Sequence, residues 1–314
     1  MTQCKQPIRE MQGRGRWMGL VGGILALLVA GCAPAVGRID NPAEGSDPTP
    51  ILRTVDNRRI GLDQLIADLA DVQVAYVGER HTHPAHHAAQ LAVLEGLHTI
   101  NPDITVAMEM FDVTYQPVLD RWSAGELTEA ELLRQTHWYA NWKYDFDLYR
   151  EILLFVREHR IRLVGINIPF HIPSKISVGG LDSLRPPDAA YLPETVDLDH
   201  PEHRAYVERI YRRHHPMLKG REDFESFYAA QAVWEDAMAE AIAHHLDRGR
   251  MLVLVGNGHI VRKFGIPDRA LSRTGAPFRT VLPVSAEDPP DPEAGNYLWY
   301  LPPQQPPRSR MMPR

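Results

Sequence analysis

The chain has 314 residues, with 34 Lys and Arg against 40 Asp and Glu, and a formal net charge of −6. It is 44% hydrophobic and 24% charged, an ordinary globular composition that is enough for one large domain or two small ones. The acidic balance, with no basic run or basic aromatic patch, excludes a nucleic-acid binder.

The N-terminus reads as a targeting segment. Lys5, Arg9, Arg14 and Arg16 precede an uncharged apolar run over residues 17–31, short for a membrane span and suited to a secretion signal. The run closes on Val29-Ala30-Gly31-Cys32, which resembles a bacterial lipobox, so Cys32 is expected to become a lipidated first residue. Ala33 follows the Cys where Asp would favour the inner membrane, which points to the outer membrane of a bacterial envelope. Loss of residues 1–31 takes away four cations and one anion and moves the net charge to −9. It also removes Cys4, so Cys32 stands alone and no intrachain disulfide is possible. Residues 32–50, rich in Pro, Gly, Ala and Asp, read as a flexible tether to one domain over 51–301. Residues 302–314 read as a disordered proline-rich tail.

Within the domain, Asp63 to Leu69 predicts a short amphipathic helix and Val74 to Gly78 a buried strand. Pro84 can open the next helix, whose apolar face carries Leu91, Leu94 and Leu97. Ile104 to Met108 predicts a second strand ending at Glu109. Helices are expected over Gln116 to Trp122, Thr128 to Gln135 (Thr128 and Glu131 make a capping box) and Leu148 to His159. Arg162 to Ile166 predicts a third strand ending at Asn167. Residues 172–200 read as a long loop or small helical insertion, followed by helices over Glu202 to His215 and Glu222 to Leu246. Met251 to Val255 predicts a fourth strand, and Phe278 to Val284 and Tyr297 to Leu301 two more. Strands alternating with helices argue for an α/β fold, a mostly parallel sheet flanked by helices.

Each of the four apolar strands ends in a polar residue of functional type: Glu79 with His81, Glu109, Asn167, and Asn257 with His259. In a parallel sheet these ends share one edge, where open α/β sheets place their sites. Glu79, His81, Glu109 and His259 are therefore candidate ligands of a divalent metal, or the acid–base residues of a hydrolase. Asn167, Asn257 and Asp236 are candidate partners that orient them. A strand exit also draws polar residues for no chemical reason, but four together favour function. His83, His86 and His87 crowd the start of the helix at Pro84. His87, in line with Leu91 and Leu94, is expected to face inward, and His83 and His86 to serve capping or solvent-facing roles. The segment Trp138 to Tyr149 is dense in aromatics. It reads either as ordinary core or as a wall for a planar apolar ligand whose iron takes a Tyr oxygen.

Several of these residues resemble the ChaN-like haem-binding lipoprotein family. They are Gly78-Glu79-Arg80-His81 with His86-His87 and Gln90; Met108-Glu109-Met110-Phe111 with Gln116-Pro117 and Leu119; Asn167-Ile168-Pro169; Ala230-Gln231 with Asp236 and Met238-Ala239; and Gly256-Asn257-Gly258-His259. They span residues 70–265, nearly the whole expected domain. The family belongs to a wider superfamily with erythromycin esterases and the Tiki and TraB proteases. The resemblance implies an α/β fold and a lipid-anchored protein of haem and iron uptake, with two haems face to face in a homodimer and an outer-membrane haem receptor as partner. Tyr144 and Tyr149 are the candidate haem-iron ligands, with Trp138 and His87 beside them. The family's first motif often continues with Asp-Asn after the His, where this chain has Thr82-His83.

Overall fold

Strands buried on both faces need unbroken apolar runs, and Val74 to Val77 and Met251 to Val255 supply them. Both lie in the middle of the sheet of this computed structural model, which describes residues 51–218, 223–246, 249–285 and 291–303. The expected signal peptide, Cys32, the tether and the tail beyond residue 303 lie outside the described residues. Everything described belongs to the unit Glu44–Arg314.

The sheet has eight strands: β1 (Ile51–Arg53), β2 (Arg58–Ile60), β3 (Val74–Glu79), β4 (Thr105–Asp112), β5 (Arg162–Asn167), β6 (Met251–Gly256), β7 (Phe278–Ser285) and β8 (Tyr297–Leu301). Their order is β2-β1-β8-β7-β3-β6-β4-β5. From β8 to β5 every pairing is parallel, while β1 is antiparallel to both β8 and β2. The chain leaves β3 for β4 and skips a place, which β6 fills late in the sequence. That crossover brings the carboxyl ends of β3, β6 and β4 side by side, with Glu79 directly opposite Gly256.

Alternate residues of the central strands feed two cores. Ala75 and Val77 pack with Val93, Leu94 and Leu97 of helix Pro84–Ile100, Leu119 and Trp122 of helix Gln116–Ser123, and Ile152 and Val156 of helix Arg150–Glu158. Val74 and Tyr76 pack on the other face with Met238 and Ile242 of helix Phe224–His245 and with Ile266 and Ala270 of helix Ile266–Thr274. Each fully buried aliphatic or aromatic side chain of this kind contributes roughly 1.5–3 kcal/mol. A third, smaller core joins Ile172 and Ile176 to Ala230 and Val233 beneath the insertion.

The structure departs from the sequence reading in three places. A hairpin, β1–β2, precedes the first expected helix. Helix Ile266–Thr274 was not expected, although Pro267 near its start and left-handed Gly275 (φ 66°) after its end are ordinary helix punctuation. The segment over 172–200 is the helical insertion that was one of its two expected forms, with helix His171–Gly179 and the short helix Pro186–Ala189. The third departure is in β4, which runs on to Asp112, so Glu109 lies inside the strand. Met108 pairs with Gly165 and Asp112 with Asn167, which sets Glu109–Phe111 against Ile166 alone in a β-bulge.

β5 is an edge strand whose outer groups are capped by side chains. Gln116 Nε2 donates to Leu163 O (2.9 Å), Gln116 Oε1 accepts from Gly165 N (3.2 Å), and Ser123 Oγ accepts from Leu163 N (3.1 Å). The substitution Gln116→Leu strands two backbone groups and is expected to cost about 1–3 kcal/mol. A urea midpoint equal to that of wild type would contradict this account.

Candidate functional site

The carboxyl edge of the sheet carries two linked groups of buried acids and histidines. The first is built on Glu79, the last residue of β3, which is 2% exposed. A carboxylate so dry stays ionised only with donors around it. Glu79 Oε1 accepts from Tyr149 Oη (2.9 Å) and from His81 Nδ1 (2.6 Å). Its Oε2 lies 2.8 Å from His87 Nδ1, an ion-pair distance off the line of an aligned hydrogen bond. His87 Nε2 donates to His81 O (3.2 Å), so one ring braces both residues. Burial alone would raise the Glu79 pKa; His81 and His87 prevail and hold it down to about 2. In turn, burial works against a charged His81, and the Glu79 and Glu109 carboxylates outweigh it and raise its pKa. Because Nδ1 is committed to Glu79, Nε2 is the nitrogen His81 can present to a ligand or substrate.

The second group is built on Glu109, in the β4 bulge. Its Oε2 accepts from Gly256 N (2.6 Å), and its Oε1 lies 3.5 Å from His259 Nε2. Asn167 holds the Glu109 backbone, donating from Nδ2 to Glu109 O (2.7 Å), while its Oδ1 accepts from Trp234 Nε1 (2.6 Å). Behind His259 stands Glu235, 1% exposed, with Oε1 3.2 Å from His259 Nδ1. Burial would lower the His259 pKa, but Glu109 and Glu235 lift it to about 10. His259 is therefore an imidazolium at neutral pH.

The two groups face each other across Gly256. The point where a β-carbon would sit on Gly256 is 3.3 Å from His81 Nε2 and 3.5 Å from Glu109 Oε2. Glycine keeps that point open. An atom placed there would touch a carboxylate-oriented imidazole and a carboxylate that is itself backed by an imidazolium, which is an acid–base arrangement. The aromatic segment forms one side of the opening. The His81 ring, whose side chain is 27% exposed, lies 4.8 Å from both Trp142 and Tyr144.

A family model described as "Haem-binding uptake, Tiki superfamily, ChaN" matches residues 65–270, well over half of the chain. The chain belongs to the ChaN family. Among solved structures it is similar to the one describing cofacial haem binding to ChaN of Campylobacter jejuni, with a TM-score of 0.67 and 20% identity over 80% of this chain and 96% of that one. This likeness establishes the shared α/β fold. An erythromycin esterase, EreC, in its open conformation aligns at 13% identity over 70% of this chain and 72% of that one, with a TM-score of 0.42. No curated protein matches the chain significantly.

Within this ChaN-family fold, Glu79, His81, Glu109 and His259 share one edge, as the strand ends require. They divide into two ion-paired sets, and among the described residues no three His, Cys, Asp or Glu are arranged to hold a metal ion. Asn257 turns away from the reacting side: its Nδ2 donates to Pro283 O (2.9 Å), and its Oδ1 packs over Gly78, 2.0 Å from where a β-carbon would be. Asp236 also points elsewhere. It binds Arg269, Arg273 (2.8 Å) and Asp197 N (2.9 Å), fastening the insertion to helix Ile266–Thr274. The acid that meets His259 is its neighbour Glu235, one residue round the helix. Trp138 is 1% exposed and donates to Tyr144 O (2.8 Å), which makes it the support of the aromatic segment and closes it to a ligand. His87, 3% exposed, is likewise enclosed. His83 and His86 are buried, not solvent-facing: their rings stack at 4.0 Å, and His86 Nδ1 accepts from Arg80 N (2.9 Å). Glu235 and His203 escaped the sequence reading. Nothing marks either within its own helix, and only the packing of two helices brings them to His259.

The histidines set opposing pH limits on stability. Burial, with His83 and Arg80 adding to it, pushes the His86 pKa down to about 3, and burial lowers that of His83 too. The unfolded chain takes up these protons below about pH 6.5 while the fold refuses them, so stability is lost as pH falls from there toward 3. His259 acts in the other direction: its contribution is full below about 6.5 and is lost as pH rises through about 10. The urea midpoint is therefore expected to fall between pH 7 and pH 5, and to fall less in His86→Gln, whose amide oxygen can still accept from Arg80 N. Equal falls in the two proteins would refute the assignment to His86.

Proposed function

We propose that this protein binds haem at the carboxyl edge of its sheet and serves haem uptake, tethered to the bacterial outer membrane through a lipidated Cys32. Family membership and the lipobox support the reading, as does the cofacial haem described for Campylobacter jejuni ChaN. The observation that carries it is the different situation of two tyrosines. Tyr149 is fully buried and its hydroxyl is tied to Glu79. Tyr144 is half-buried at the mouth, its ring 4.8 Å from His81 and 5.3 Å from Trp142, with Phe170 6.0 Å beyond Trp142. The residues fit the group: a phenol oxygen suits ferric haem iron, and Trp142 and Phe170 supply an apolar aromatic wall. Tyr144 is the iron ligand in this reading, and a second copy of the chain covers the exposed face of the haem.

Burial and the Glu109 and Glu79 carboxylates raise the Tyr144 pKa. Ligation must expel the phenol proton, so affinity is expected to increase as pH rises. Titration of the mature protein with hemin should give a Soret shift whose affinity strengthens from pH 6 to pH 9. Tyr144→Phe should weaken binding by at least about tenfold, the equivalent of 1.4 kcal/mol. A wild-type protein without a Soret shift, or a Tyr144→Phe variant that binds equally well, would sink the assignment.

The space over Gly256 favours a second reading, a hydrolase in which Glu79 orients His81 as the general base and His259 donates a proton. Esterase and peptidase substrates would test it. Hydrolysis should be absent in Glu79→Gln and in Gly256→Ala, whose methyl group would lie 3.0 Å from His81 Cε1. Activity surviving both substitutions would dismiss these roles.

A further inference from the structure

Glu109 and His259 do not end the row of buried charges. Glu235 Oε2 lies 2.9 Å from His203 Nε2 on helix Pro201–Leu218, an ion-pair distance off the line of an aligned hydrogen bond. His203 is 1% exposed, and its Nδ1 is 3.3 Å from Arg269 Nη2. An arginine nitrogen can only donate, so His203 Nδ1 accepts and the ring carries its proton on Nε2, facing Glu235. Glu235 in turn accepts from Gln231 Nε2 (2.7 Å) on the oxygen that faces His259 Nδ1. The order is Arg269, His203, Glu235, His259, Glu109, in which each member fixes the donor or acceptor role of the next. Four chain segments contribute: helix Pro201–Leu218, helix Phe224–His245, the loop after β6, and β4. Arg269 comes from a fifth, helix Ile266–Thr274.

We propose that His203 and Glu235 are positioning residues that hold His259 with its Nδ1 proton toward Glu235 and its Nε2 aimed at the space beside Glu109, so that helix Pro201–Leu218 sets the geometry of the strand-edge site. The groups facing His259 are Glu235, Gln231 and Trp234 from the long helix, Glu109 from β4, and the His81 ring from the turn after β3. Those facing His203 are Glu235, Arg269 and Tyr228, with His200 one turn before it. Of these, Glu235 alone connects His203 to His259. Without the His203 donor, one Glu235 oxygen is left buried against only the distant Arg269 Nε at 3.8 Å, and the carboxylate is free to turn away from His259. The binding part of the argument rests on the haem reading; the part concerning His259 does not.

The test uses nitrogen-15 spectra of histidine-labelled protein at a single neutral pH, together with hemin titration. In wild type, His203 should show a protonated Nε2 with an unprotonated Nδ1, and His259 a hydrogen-bonded Nδ1 proton. His203→Leu should erase the His259 Nδ1 signal and weaken hemin binding by about tenfold or more, and His203→Gln, which keeps a donor near the Nε2 position, should restore both. Should His203→Leu fail to fold, Glu235→Met, which removes both acceptor oxygens, supplies the same comparison, with loss of the His259 signal expected. An unchanged His259 spectrum in a folded His203→Leu or Glu235→Met variant overturns the proposal. A wild-type protein that shows no Soret shift refutes the haem reading and leaves the spectral comparison to judge the relay on its own.

Discussion

A carboxylate cut off from water is the constraint on which this site depends. Glu79 sits at the end of a strand buried on both faces, where an isolated charge would cost several kcal/mol. The fold answers with three partners from three places: His81 from the turn after the strand, His87 from the helix after that turn, and Tyr149 from the far side of the aromatic segment. Each of the three is thereby fixed in orientation. His81 presents Nε2 outward, His87 braces the turn, and Tyr149 anchors the segment that carries Trp142 and Tyr144. The aromatic wall and the imidazole of the site are consequences of one buried acid.

The same logic repeats across Gly256. Glu109 and Glu235 are as dry as Glu79, and they share His259 between them. Alternating acids and histidines is the arrangement a water-poor edge allows, because a protonated ring such as that of His259 supplies two opposed donors and each carboxylate two opposed acceptors. Removing any one member leaves its neighbours charged and unpaired. Breaking such a row is therefore costly, whichever of its members meets the ligand.

How much of this could be read in the sequence follows from what kind of information each part needs. The four apolar runs and their polar ends are local, and Glu79, His81, Glu109 and His259 lie at one edge as the strand ends require. The capping box at Thr128 and the helix opening at Pro84 are local too, and both are present. The bulge that keeps Glu109 within β4 depends on its pairing with β5, which no local pattern announces. Asp236 was singled out where Glu235 meets His259, because helical spacing resolves a face but not a neighbouring position on it. His83 and His86 carry polar rings that ordinarily seek water. Their stacking beneath the turn is a tertiary arrangement, as is the arrival of His203 from helix Pro201–Leu218.

The two edges of the sheet differ in how they meet another chain. At β5, the amide of Gln116 occupies the hydrogen-bonding places at Leu163 and Gly165 that an added strand would need. At β2, the exposed residues are Arg58 and Arg59, so two such edges brought together would set guanidinium against guanidinium. Neither border lends itself to continuing the sheet from one copy into the next.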